Sequence, residues 1–126
     1  MESTNKKTIL IVEDDAVLLE MYQIKFQNEG FTVEIAADGE AGLAKAQTAH
    51  PDIILLDVNL PKMDGFSVLK AIKANTALQS IPVILLTNLG QEQNVQEGLS
   101  MGAADYFVKA NLTPGEVVEK VKTLLT

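Results

Sequence analysis

Ile53-Ile54-Leu55-Leu56-Asp57 decides the architecture: four apolar side chains in a row, then a carboxylate. A strand with one wet face alternates apolar and polar residues, whereas a strand covered on both faces is apolar at every position. The same pattern recurs at Ile9-Leu10-Ile11-Val12, which runs into Glu13-Asp14-Asp15, and at Val83-Ile84-Leu85-Leu86, which runs into Thr87. A shorter run, Tyr106-Phe107-Val108, ends on Lys109. Each strand-like run therefore stops on a polar residue of a distinct chemical kind.

Helical periodicity fills the intervals. Residues 15–29 carry Leu18, Met21, Ile24 and Lys25 at helical spacing, with Gly30 as the stop. Phe31-Thr32-Val33-Glu34-Ile35 alternates and reads as a half-exposed strand. Residues 39–49 form an alanine-rich helix closed before Pro51, and Phe66, Leu69 and Ile72 mark another. A fourth helix is expected near 91–101, ahead of Gly102. Thr113-Pro114-Gly115-Glu116 spells a capping box with proline at the first helical position.

Five strand-then-helix units predict a doubly wound α/β domain, a parallel five-stranded sheet with helices on both faces. Runs one, three and four are the buried strands, while the alternating second and the short fifth are edges. The order 2-1-3-4-5 follows, with the reversal of strand order between strands one and three. Glu13, Asp14 and Asp57 are expected at that point.

The 126 residues fit one domain, 1–126, with 1–6 expected as a flexible tail. The hydrophobic share of 47% suits a folded core. Seventeen acids face ten bases, all lysine, for a net charge of −7. Such a surface disfavours nucleic acid and anionic lipid as partners. The chain has no cysteine, so a disulfide framework is excluded. No apolar run approaches membrane-spanning length, and the N-terminal stretch lacks a secretory signal pattern. A soluble cytoplasmic protein is expected.

Carboxylates about 5 Å apart repel by roughly 3 kcal/mol per pair at an effective dielectric near 20, so a cluster of them calls for a cation. A hard oxygen site with few protein ligands suits Mg²⁺. Asp57 is then a candidate nucleophile toward a phosphoryl group, with Lys109 neutralising oxygen charge. The Thr87 hydroxyl would sense the arriving phosphoryl oxygen. A Mg²⁺-dependent phosphohydrolase or nuclease is the enzymatic alternative. The length leaves no room for a cap, however, and Asn59 stands where a second carboxylate would be needed.

Glu13-Asp14-Asp15, Asp57 with Pro61-Lys62-Met63-Asp64-Gly65, Thr87, and Asp105-Tyr106-Phe107-Val108-Lys109 together resemble the receiver domain of two-component response regulators. The resemblance runs from about Lys7 to the C-terminus and implies the flavodoxin-like fold of the chemotaxis regulator. It implies Asp57 as phosphoacceptor, and Glu13, Asp14, Asp57 and the Asn59 backbone carbonyl as Mg²⁺ ligands. It further implies Thr87 and Tyr106 as the switch pair, and Lys109 as the phosphate-contacting lysine. The implied role is a signalling module, not a turnover enzyme. Its partners would be a sensor histidine kinase or phosphotransfer protein and a downstream protein. A monomer or weak dimer through the fourth helix, fifth strand and fifth helix is implied as well. The sequence departs from the family at Ala110, where proline is usual, and at Asn88, where a small residue is usual. A trans Lys109–Ala110 bond is expected. A degenerate receiver that binds partners without phosphorylation is the second alternative.

Overall fold

Residues 6–88 and 92–125 are described by a computed structural model. Strands β1 (Thr8–Val12), β2 (Thr32–Ala36), β3 (Ile53–Asp57), β4 (Val83–Thr87) and β5 (Asp105–Val108) alternate with helices α1 (Ala16–Asn28), α2 (Gly39–Ala49), α3 (Gly65–Ala74), α4 (Glu92–Ser100) and α5 (Pro114–Leu125). A 3₁₀ turn, Lys109–Asn111, separates β5 from α5. All pairings are parallel, in the order β2-β1-β3-β4-β5. Residues 1–5 of the expected tail lie outside the described residues.

The uninterrupted apolar strands make sense once both faces are filled. Leu10, Val12, Ile54, Leu56, Val83 and Leu85 pack on one face with Ala46 of α2 and Val68, Leu69 and Ile72 of α3. Ile9, Ile11, Ile53, Leu55, Ile84 and Leu86 pack on the other with α1 and α5, through Leu19, Tyr22, Phe26, Val117, Val118 and Val121. Every residue of β3 and β4 is buried, including the terminal Asp57 and Thr87. The edges β2 and β5 are only partly buried.

Helix termini follow local chemistry. Asp15 caps α1, its Oδ1 accepting from the amides of Val17 (3.0 Å) and Leu18 (3.2 Å). Gly30, at φ 92°, follows the α1 stop, and His50 closes α2 at φ 46°. At α5 the capping box is reciprocal: the Thr113 amide donates to Glu116 Oε1 (2.9 Å), and the Glu116 amide donates to Thr113 Oγ1 (3.2 Å).

Helix α1 forms where the spacing predicts it, but on a different face from the one the spacing marks. The stripe of Leu18, Met21, Ile24 and Lys25 is not its core face. Leu19, Tyr22 and Phe26 are buried instead, while Met21 is 44% and Ile24 50% exposed. Apolar side chains nearly encircle this helix, so periodicity alone does not select a face.

Candidate phosphoryl-transfer site

The register of the sheet carries the site. Val12 pairs with Leu56, so the residues that follow, Glu13 and Asp57, emerge side by side at the C-terminal edge. Asp57 pairs with Leu86 and Thr87 with Val108, which brings Thr87 and Lys109 to the same edge. Carboxylate oxygens of Glu13, Asp14 and Asp57 lie within 4.8 Å of one another. Glu13 and Asp57 are sealed from solvent, whereas Asp14 is exposed and forms the outer lip.

Lys109 stands between the two buried acids. Its Nζ lies 2.7 Å from Asp57 Oδ2 and 2.7 Å from Glu13 Oε1. Only the first contact has hydrogen-bond geometry, so Glu13 Oε1 is a buried oxygen with no hydrogen-bond donor, held by charge alone. The other Glu13 oxygen accepts from the Asp15 amide at 3.0 Å, and Asp57 Oδ1 accepts from the Asn59 amide at 2.9 Å. Burial pushes the Glu13 carboxyl up to about 7, against the pull of Lys109 and the Asp15 amide. Burial also works against the charged form of Lys109, yet its hydrogen bond to Asp57 and the attraction of Asp57 and Glu13 outweigh this and raise it.

Thr87 is fully buried, its hydroxyl donating to the Phe107 carbonyl at 3.4 Å. Asn88, exposed, is the next residue. Tyr106 lies outside the acid cluster, half-buried on β5 against the core of the α2–α3 face. Asn59 sits two residues beyond Asp57 in the β3–α3 loop. No cis peptide occurs among the described residues, Lys109–Ala110 included.

The donor set consists of hard oxygens gathered around one buried oxygen that lacks a hydrogen. That combination fits a small divalent cation such as Mg²⁺ better than a soft metal. One contributor escaped the sequence reading altogether. Gly39, at the start of α2, abuts the segment between Asp57 and α3.

The family model "Response regulator receiver domain" matches residues 9–122. The alkaline phosphatase synthesis transcriptional regulatory protein PhoP of Bacillus subtilis is 40% identical over 121 residues, covering 96% of this chain and 49% of that protein. The DNA-binding dual master transcriptional regulator RpaA of Synechocystis is 38% identical over 117 residues, covering 93% of this chain and 48% of that protein. The chain thus spans about half the length of the curated relatives it matches. Among solved structures, the chemotaxis response regulator CheY4 of Vibrio cholerae superposes with a TM-score of 0.87 at 34% identity, covering 94% of this chain and 98% of that one.

Proposed function

The chain belongs to the receiver domains of two-component response regulators, phosphorylation-controlled signalling modules, and from that premise we propose how its own residues perform the phosphorylation. Asp57 is the phosphoacceptor. The observation that carries this is its position: a buried carboxylate at the sheet edge, with one oxygen on the Asn59 amide, the other on Lys109, and two further acids alongside. The Asn59 bond fixes the carboxylate rotamer, so the attacking group is oriented before a donor arrives. A carboxylate oxygen forms the bond to phosphorus as the donor's bond to phosphorus breaks, and the leaving group keeps that electron pair. Lys109 neutralises charge on the phosphoryl oxygens.

Glu13, Asp14, Asp57 and the Asn59 carbonyl would hold Mg²⁺. When bound, that ion supplies charge neutralisation for the acids and for the incoming phosphoryl group. The Thr87 hydroxyl then trades its long 3.4 Å bond to Phe107 for a phosphoryl oxygen, a bond weak enough to surrender readily. Tyr106 repacks, and the surface of α4, β5 and α5 changes its affinity for a downstream protein. This face would also mediate any weak dimer.

We place the phosphodonor, a histidine kinase or phosphotransfer protein, over α1. Val17, Met21 and Ile24 are 69%, 44% and 50% exposed at spacings of four and three. They form an apolar stripe leading away from the acid cluster that α1 follows. Residues 1–126 act as a single receiver unit in the cytoplasm, and the chain assists only its own phosphorylation and dephosphorylation. No helix among the described residues is long and apolar enough to cross a membrane.

Intact mass after incubation with a small acyl-phosphate tests the assignment. One phosphoryl addition is expected with Mg²⁺, little without it, and none in Asp57→Asn. Equal labelling of Asp57→Asn overturns the assignment.

A further inference from the structure

The loop between Asp57 and α3 is fixed at its far end and at its middle by residues that lack a side chain. At its far end the Gly65 amide donates to the Val58 carbonyl at 3.0 Å, and a Cβ there would overlap the Asp57 carbonyl oxygen. The middle is held from a different element. The Gly39 amide, at the first position of α2, donates to the Pro61 carbonyl at 3.3 Å. A Cβ on Gly39 would overlap the Met63 carbonyl oxygen and reach 2.6 Å from its carbon and 2.8 Å from its Cβ. The obstacle is backbone, so no rotamer change relieves it. The loop is already tight there: the Met63 amide donates to Pro61 at 2.7 Å, and Lys62 sits at φ 69°, a left-handed conformation unusual for lysine. Lys62 also reaches Asp38, the α2 cap, at 3.8 Å.

We infer that Gly39 is a positioning residue for the acid site, because its missing side chain lets α2 seat on Pro61–Met63 and so sets the loop that presents Asn59. The inference rests on the metal-binding reading of Asn59 proposed above and deepens it. α2 holds no residue assigned to the chemistry, yet its N-terminus becomes part of the mould for the site. Groups that support metal ligands from behind typically change affinity by about 10–100-fold when altered.

Mg²⁺ titration by calorimetry separates this role from mere stability. The wild type is compared with Gly39→Ala, and with Gly98→Ala, whose added Cβ would crowd Leu85 and Phe66 away from the acids. Gly39→Ala is expected to weaken Mg²⁺ by about ten-fold, with Gly98→Ala near the wild type. Adding Lys62→Gly to Gly39→Ala frees the loop and should restore part of the loss. Wild-type affinity in a folded Gly39→Ala overturns the inference while leaving the proposed function intact. Absence of Mg²⁺ binding by the wild type overturns both. Should Gly39→Ala not fold, linkage supplies the measurement in the native protein: saturating Mg²⁺ must slow hydrogen exchange of the Gly39 amide. An unchanged rate overturns the inference.

Discussion

Thr87 and Asn88 are neighbours with opposite burial, one sealed at the end of β4 and the other open to solvent. From its place directly after Thr87, the Asn88 side chain is proposed to screen an aspartyl-phosphate from water. Asn88→Ala should therefore lose its phosphoryl group faster than the wild type once the donor is removed. Equal or slower decay would contradict this. Asp57, Thr87 and Lys109 were legible as candidates because each terminates an apolar run, where a polar side chain needs a reason. The difference between Glu13 and Asp14 was not. In sequence they are adjacent acids, but in the turn that follows β1 Glu13 is sealed and Asp14 exposed. Gly39 was illegible for another reason: its partner is a backbone carbonyl 24 positions away, and no side-chain pattern reports such a contact.

At the scale of elements, the strands were readable and helix α1 was not. The four consecutive apolar residues of β3 and of β4 have one natural place, a strand buried on both faces. α1 carries Val17, Leu18, Leu19, Met21, Tyr22, Ile24 and Phe26, and tertiary packing chose the Leu19–Tyr22–Phe26 stripe. The stripe left outside yields a prediction. Met21→Glu with Ile24→Glu should slow phosphoryl transfer from the proposed protein phosphodonor, a histidine kinase or phosphotransfer protein, because both positions are exposed and apolar. Labelling by a small acyl-phosphate should be unchanged, and stability should stay within about 0.5 kcal/mol. Equal slowing with both donors would place the defect in the pocket and not in docking. The α5 capping box, by contrast, was spelled out in four residues. Thr113→Ala removes the acceptor for the Glu116 amide and should cost about 1 kcal/mol in urea unfolding, with no change in labelling of Asp57.

For the whole molecule, the acid cluster sets a tension between function and folding. Native Glu13 titrates near 7, against an ordinary 4.5, chiefly because it is buried. Lys109 and the Asp15 amide oppose that rise, and Asp57 adds to it. A raised carboxyl means that the native state holds a proton the unfolded chain has already released. Its contribution to stability is complete below about pH 4.5 and is lost as pH climbs through about 7. Lys109 is raised too, so its contribution persists throughout this window and disappears only in strongly alkaline solution. Tyr22 is pushed up to about 12, chiefly by burial and further by Glu13, and stays neutral here. The metal-free protein should therefore melt at a lower temperature at neutral than at mildly acidic pH, a trend opposite to that set by paired surface acids. Glu13→Gln should flatten that slope, since an amide carries no charge to bury. Mg²⁺ should restore the melting temperature of the wild type most strongly on the neutral side, where Glu13 is ionised and the cation has most charge to neutralise. An identical slope in Glu13→Gln would remove the buried glutamate as its cause.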